Sequence, residues 1–413
     1  MKEISGGVCA PRGFRAGGIW CGIKGSSKKR DLALIYSDKP CTAAALFTAN
    51  RVKAASVIVS REHLAGGICR AVIANSGNAN ACTGEAGIAA ARKMAALAAD
   101  CFAIRPEEVA VASTGVIGVP LPLAAIESGV ESLASSLRGD EAGHDAALEA
   151  IMTTDTRKKD GALEIELEGP EGKAVPVRLG GMTKGSGMIH PNLATMLCFI
   201  TTDAAISREL LDKALRRAAR LSFNRLTVDG DTSTNDMVLV MASGAAGNLP
   251  INAEGPAYEA FAGALETLCI GLARAMARDG EGATKLVTVR VEGAASEEAA
   301  EVLAKSVASS SLVKAACFGA DANWGRVLCA MGYSGADFAP EKVDVRFAGA
   351  KGRIPVYEQG VPLPFSEEEA KKILSEEEIE IEIDISGGGQ GKAVVWGCDL
   401  TYDYVKINGD YRS

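Results

Sequence analysis

The sequence predicts a layered α/β or α+β protein, and three observations carry that expectation. Short apolar runs of strand length recur along the chain, two segments carry long helical stripes of hydrophobic residues, and small-residue turns interleave the two kinds. A chain of 413 residues exceeds the about 100–200 residues that one core usually organises, so two core units are expected. Hydrophobic residues at 47% and charged residues at 23% suit a globular chain rather than a disordered one. Aromatics are only 5%, which leaves Ala, Leu, Val and Ile to fill the interior.

Residues 32–36, 55–59 and 71–74 read as strands, and NSGNANA at 75–81 as the turn after the last. Thr83 is the candidate N-cap of a helix over 85–99, whose Ile88, Met94 and Leu97 mark an apolar side. A further strand at 109–112 runs into Ser113-Thr114-Gly115. LEIEL at 163–167 alternates as a half-exposed strand does. The stretch 170–180 holds the turn PEGK and leads into Gly180 and Gly181, and 199–201 is another strand.

Ser207 caps a helix with Leu211, Leu215, Ala218 and Phe223 along one side. A second long helix is expected over 256–278, with Phe261, Leu265, Leu268, Leu272 and Met276 at helical spacing and Gly280 as its stop. Ser366 with Glu369 forms a capping box for a helix through Leu374. Ile379, Ile381, Ile383 and Ile385 alternate with acidic residues as a strand with one wet face, and a glycine run at 387–389 turns the chain into 393–396.

Several function classes are disfavoured. Net charge is -8, and the KKR at 28–30 lacks aromatic or basic support, so a nucleic-acid surface is not expected. Eleven cysteines without a CxxC pair, and three histidines, argue against zinc and suit buried thiols in a reducing cytoplasm. The opening MKEISGGVCAPRGF lacks an apolar signal core, and no run of about 18 apolar residues suggests a membrane span. A soluble cytoplasmic protein is the expectation. No GxGxxG or Walker A run joins a strand to a helix, and no period of about 20–50 residues repeats.

The chemistry centres on KGSGMIHPNLATM at 184–196. A threonine hydroxyl attacks poorly without a base. Cleavage just before Thr195 would free its α-amine, whose pKa of about 7.7–8.0 suits that task. Pro191, Gly185 and Gly187 permit a tight path into the scissile Ala194–Thr195 bond. The residues alone favour Thr195 as an ordinary β-former at the head of the apolar run 196–200, because an Ala-Thr dipeptide is a weak signal. STGVIG at 113–118 offers a Gly115 N–H and the Thr114 hydroxyl or N–H as oxyanion donors, or is simply a glycine turn. Lys184 reads as a carboxylate or oxyanion partner, or as a solvated lysine.

TTDT at 153–156 reads as a hydroxyl cluster for an amino-acid substrate, or as a turn cap. Glu281 reads as a partner for a substrate ammonium, or as a surface charge. DGDTSTND at 229–236 lacks the spacing of an EF-hand, so no metal is expected, and His190 reads as loop structure.

Taken in order, NSGNAN at 75–80, STGVIG at 113–118, TTDT at 153–156, KGSGMI at 184–189 and LATML at 193–197 resemble the arginine-biosynthesis ornithine acetyltransferase family, also called glutamate N-acetyltransferase. The resemblance continues through 229–236, GEGATK at 280–285, DANWGR at 321–326 and VKINGDY at 405–411, and so spans essentially the whole chain. It implies a layered α/β (α+β) sandwich of the DmpA/ArgJ-like type, shared with self-processing aminopeptidases and close to N-terminal-nucleophile enzymes in chemistry. It also implies cleavage before Thr195 into an α chain, 1–194, and a β chain, 195–413, with a C-terminal α/β region from about 285. The two chains would pair as an α2β2 heterotetramer.

Thr195 would carry acetyl from N2-acetyl-L-ornithine to L-glutamate in a ping-pong cycle, with Thr114 and Gly115 stabilising the oxyanion. Thr153, Thr156, Lys184, Thr195, Glu281, Asn408 and Ser413 match substrate-binding positions. The ending Asn408-Gly409-Asp410-Tyr411-Arg412-Ser413 departs from the usual one but keeps a terminal hydroxyl. No cofactor is implied. Acetyl-CoA is a further candidate donor, and a self-processing amidase or aminopeptidase is the alternative within catalysis.

Overall fold

Two mixed sheets organise the computed structural model, which describes residues 1–190, 196–386 and 389–410. Gly387 and Gly388 of the expected glycine turn lie outside the described residues.

Among these residues the first sheet has nine strands: β1 (Lys2–Ile4), β2 (Phe14–Ile19), β3 (Leu32–Phe47), β4 (Ile68–Asn78), β5 (Val109–Val116), β6 (Asp160–Glu168), β7 (Ala174–Lys184), β8 (Leu197–Thr202) and β9 (Met237–Ala242). Their spatial order is β1-β6-β7-β8-β9-β3-β4-β5, and β2 pairs with β3 off this path. Two of the pairings are parallel. β4 and β5 end side by side, Gly77 beside Gly115, while β8 and β9 begin side by side, Leu197 beside Met237. β7 ends against the start of β8, with Lys184 opposite Leu197.

Helices cover both faces of this sheet, as amphipathic segments must. In chain order α1 is Ala55–His63, α2 Gly84–Asp100, α3 Leu123–Ser135, α4 Glu141–Ile151, α5 Arg208–Leu221 and α6 Pro256–Arg278. α5 and α6 bury Leu211, Leu215, Phe261 and Leu265 against Leu179, Ile200 and Val240. α4 brings Leu148 and Ile151 to the other face, against Ile35, Phe199 and Leu239. α2 and α3 pack Met94, Ile126 and Leu133 on Leu32, Leu34 and Val111, so successive residues of β3 serve two different cores. α6 is long and apolar enough to cross a membrane by length and composition, yet eleven of its residues are buried and pack as a core helix does.

The second sheet begins at Leu286 and contains β10 (Leu286–Ala294), β11 (Val343–Gly349), β12 (Gly352–Glu358), β13 (Val361–Pro362), β14 (Glu378–Ile385) and β15 (Gly391–Cys398), in the order β13-β12-β11-β14-β10-β15. Helices α7 (Glu297–Ser309), α8 (Ser311–Phe318), α9 (Trp324–Gly332) and α10 (Glu367–Leu374) build its separate core with the four isoleucines of β14. The acidic face of β14 is bridged by Arg290 to Glu380 and Arg353 to Glu382, each at 2.6 Å. The chain then returns as α11 (Tyr402–Asp410).

Four local expectations are corrected. Residues 55–59 form the start of α1, not a strand. The run Val57-Ile58-Val59 favours a strand, but Ser60 exchanges hydrogen bonds with Val111 (2.7 and 2.6 Å) and His63 Nδ1 lies 2.8 Å from Val109 O, docking a helix along β5. The turn expected at 75–81 begins late, because β4 continues to Asn78 through an irregularity at Gly77. The turn expected in PEGK is found at Pro170–Gly172, and the residues after it from Ala174 belong to β7. Thr83 holds the N-cap position, but its hydroxyl donates to Asn80 Oδ1 at 2.8 Å rather than capping α2. Phe223 reaches the core from beyond the end of α5.

Candidate active site

The strand ends meet around a cavity of about 210 Å³. β5 delivers Thr114 and Gly115 to it. Gly115 has φ +134°, and a Cβ there would stand 2.4 Å from Gly77 C. Glycine is needed both for that backbone conformation and for the close approach of β4.

Lys184 closes β7 with only 8% of its surface exposed and its Nζ 3.4 Å from Thr114 Oγ1. Burial pulls its ammonium below the usual lysine value; Asp155 opposes that pull and Lys159 adds to it. Asp155 is the buried hinge of the 153–156 cluster. It accepts from Thr153 N at 2.9 Å, Gly185 N at 2.8 Å and Lys159 Nζ at 2.5 Å. Burial works against its charge, but Lys184, Lys159 and the Gly185 N–H together hold the carboxyl below the ordinary range. Lys159 also reaches Asp279 at 2.6 Å, so one buried ammonium joins two carboxylates. Asp279 further accepts from Thr156 N at 3.0 Å and from the Thr156 hydroxyl.

A second wall follows the end of α6. Glu281 donates its N–H to Ser186 O at 2.8 Å, and its Oε2 accepts from Asn408 Nδ2 of α11 at 2.8 Å. Gly187 leaves no room for a side chain here, since a Cβ would stand 2.3 Å from Glu281 Oε2.

The loop 229–236 forms the third wall and ties the first two together. Asp229 accepts from Met188 N at 2.6 Å and Ile189 N at 2.9 Å, so its carboxylate orders backbone instead of a cation. Asn235 Nδ2 donates to Ala79 O at 2.6 Å and Ser113 O at 2.7 Å, clamping the loop to the strand that carries Thr114 and Gly115. His190 Nδ1 lies 3.0 Å from Thr227 Oγ1, and burial lowers its pKa; the ring does not line the cavity.

The cavity therefore brings together Thr114, Gly115, Thr153, Lys184, Glu281 and Asn408. Thr156 does not line it, because its hydroxyl and N–H are engaged by Asp279. Ala194, Thr195 and Ser413 lie outside the described residues. Met196, which directly follows Thr195, lines the cavity and accepts at its carbonyl from Met237 N at 2.8 Å. The sequence reading missed Lys159, Asp279 and Asp236. The only local trace of the ion network is the i,i+4 spacing of Asp155 and Lys159, which on its own marks any exposed turn equally well.

The comparisons with known proteins bear on the whole chain. The sequence model of the ArgJ family matches residues 15–413. The arginine biosynthesis bifunctional protein ArgJ of Symbiobacterium thermophilum is 53% identical over 414 residues, covering 100% of both chains. ArgJ 1 of Clostridium acetobutylicum, described as the same bifunctional protein, is 50% identical over 97% of this chain and 96% of its own. Among solved structures, ArgJ of Bacillus halodurans is 48% identical with a TM-score of 0.49, covering 52% of this chain and 98% of that one. Ornithine acetyltransferase of Mycobacterium tuberculosis, complexed with ornithine, is 42% identical with a TM-score of 0.42, covering 47% of this chain and 99% of that one. On the match from residue 15 to residue 413 and the end-to-end identity to ArgJ proteins, this chain, with its mixed α/β architecture, belongs to the ArgJ family.

Proposed function

We propose that this chain is an acetyltransferase of arginine biosynthesis that moves acetyl from N2-acetyl-L-ornithine to L-glutamate, giving L-ornithine and N-acetyl-L-glutamate. In this reading the chain cuts itself between Ala194 and Thr195. Residues 1–194 and 195–413 stay associated, with a C-terminal α/β region from about 285, and pair as an α2β2 heterotetramer. The freed α-amine of Thr195 takes the hydroxyl proton as the oxygen attacks the acetyl carbonyl. Gly115 N–H and the Thr114 hydroxyl hold the oxyanion, an arrangement in which each donor contributes about 3–4 kcal/mol to the transition state. Ornithine leaves, and the glutamate amine then attacks the acetyl ester. Lys184, Glu281, Asn408, Thr153 and Ser413 orient the amino acids. Thr156 acts on them through Asp279 and the fold of its loop.

The observation that supports this most is one cavity lined by Thr114, Gly115, Lys184 and Glu281 together with Met196, the residue after Thr195, in a member of the ArgJ family. Relatives of about half identity are called bifunctional, so the proposal extends to acetyl-CoA as a second donor to glutamate.

Intact-mass analysis with and without N2-acetyl-L-ornithine tests the reading. Two polypeptides, the second starting at Thr195 and gaining one acetyl group with the donor, are expected. The variant Thr195→Ala should remain uncut and inactive; efficient cutting in that variant would sink the assignment. Acetyl exchange between N2-acetyl-L-ornithine and labelled glutamate separates transfer from the alternative, a self-processing aminopeptidase or amidase, which would give net hydrolysis instead.

A further inference from the structure

Asp236 directly precedes β9, is 1% exposed, and has a carboxyl oxygen, Oδ2, with no hydrogen-bond partner among the described residues. It lines the same cavity as Thr114, Gly115 and Lys184. An unsatisfied buried oxygen destabilises a fold by about 1–3 kcal/mol, more where it bears charge, so an orphan on a residue that lines a reaction cavity calls for a chemical reason. Its position is fixed on three sides. Asp236 O accepts from Thr48 N at 3.1 Å, the next N–H (Met237) donates to Met196 O, and the preceding Asn235 is clamped to Ala79 and Ser113.

The other charged or titratable groups on this cavity are Lys184 from β7, Asp229 and Asp231 from the same loop, Glu281 after α6 and Tyr404 from α11. Asp229 is engaged by two backbone amides and Glu281 by Asn408, while Lys184 approaches Thr114. Burial pushes the Asp236 carboxyl well above the usual carboxylate range, only partly offset by Ser233, Lys184 and Thr48. Asp236 is thus a fixed carboxyl whose neutral, proton-bearing form burial favours, and one of its oxygens has no hydrogen-bond partner among the described residues.

Acyl transfer from an amide, the reading on which this inference rests, needs such a group. An amine leaves poorly unless its nitrogen gains a proton as the bond to carbon breaks. We propose that Asp236 is the acid–base residue of the amine side of the reaction. Its carboxyl proton passes to the amide nitrogen as the C–N bond of the donor breaks, leaving a carboxylate. The acceptor amine then attacks the acetyl ester as its free base and gives a proton to Asp236 as the new C–N bond forms. The nucleophile's hydroxyl proton is taken and returned by its own base, so Asp236 ends the cycle protonated.

The test compares two donors on Asp236→Asn, which keeps the shape and removes the titration. N2-acetyl-L-ornithine needs a proton on its leaving nitrogen; p-nitrophenyl acetate expels a phenolate that needs none. Turnover with the amide should fall about 10²–10⁴-fold, while acetylation of the enzyme by the ester should change by less than about tenfold. Equal losses with both donors, or no loss with either, would overturn the role of Asp236. A wild-type protein that accepts acetyl from neither donor would overturn the transferase reading itself, and this inference with it, before the variant is reached. Should the variant fail to fold, wild-type rates over acetyl amides whose leaving amines differ in basicity decide: assisted departure predicts a nearly flat dependence, and steep acceleration as basicity falls refutes it.

Discussion

Replacing Gly115 by alanine tests the oxyanion role proposed for its N–H, because the structure supplies both the perturbation and its control. A Cβ at Gly115 would meet Gly77 C at 2.4 Å, Asn78 N at 2.5 Å and Gly77 Cα at 2.7 Å, all backbone atoms of the neighbouring parallel strand. None of these is the movable end of a side chain, so β5 must shift away from β4 and carry the Gly115 N–H with it. The conformation at φ +134° adds strain of about 1–3 kcal/mol for a residue with a Cβ. Gly118 lies three residues on, at φ +79°, with nothing within 4 Å of a Cβ. Gly118→Ala therefore introduces comparable strain without the collision.

Losing one oxyanion donor typically lowers kcat by about 10²–10³-fold. Gly115→Ala should show that loss in the acetyl exchange assay with little change in KM, and a melting temperature lower by several degrees. Gly118→Ala should lower the melting temperature and leave kcat within about threefold, because its strain falls outside the donor pair. Near-normal turnover in Gly115→Ala, or an equal fall in Gly118→Ala, would refute the assignment of the Gly115 N–H to the oxyanion.

The remaining expectations concern stability and exposure. Lys159→Met keeps the length of the side chain but strands Asp155 and Asp279, and breaking a buried pair costs about 3–5 kcal/mol; an unchanged denaturation midpoint would refute the load placed on this network. Because the folded-state pKa of Asp155 is depressed, its stabilisation is complete above about pH 4 and is lost as pH falls through the folded value. Wild-type stability should therefore decline more steeply in acid than that of Asp155→Asn, and parallel curves would count against it. Thiol labelling of the native protein should modify the exposed Cys82 and Cys329 first, while burial raises the pKa of Cys198 and Cys269 and keeps them unreactive; early labelling of either buried cysteine would contradict the packing of the first sheet against α6.

How much of this was legible in the sequence depends on how far each residue's reason for being there lies along the chain. The helix over 256–278 was readable because its apolar stripe repeats over 23 residues, and β14 because four isoleucines alternate without interruption. α1 was misread because its fold is decided by Ser60 and His63 reaching β5, about fifty positions away, against the preference of Val57 and Val59. The same distinction runs through the site. Thr114, Gly115 and Lys184 stand in short glycine-bearing runs at strand ends, which made them candidates beside the plainer readings of a turn and a solvated lysine; the fold adds that they line one cavity. Asp236 lies in an equally conspicuous polar run, yet its eight-residue pattern suggested at most a weak cation loop. What sets it apart is that Asp229 is engaged by backbone amides and Asn235 by Ala79 and Ser113, while Asp236 lines the cavity with one buried oxygen uncommitted among the described residues. Thr153 and Thr156 make the point from the other side: they are three positions apart, and the first faces the cavity while the second is turned to Asp279, a residue more than a hundred positions on. A hydroxyl that is committed and one that is available look identical in sequence, because the difference is made by a partner that only the fold brings within reach.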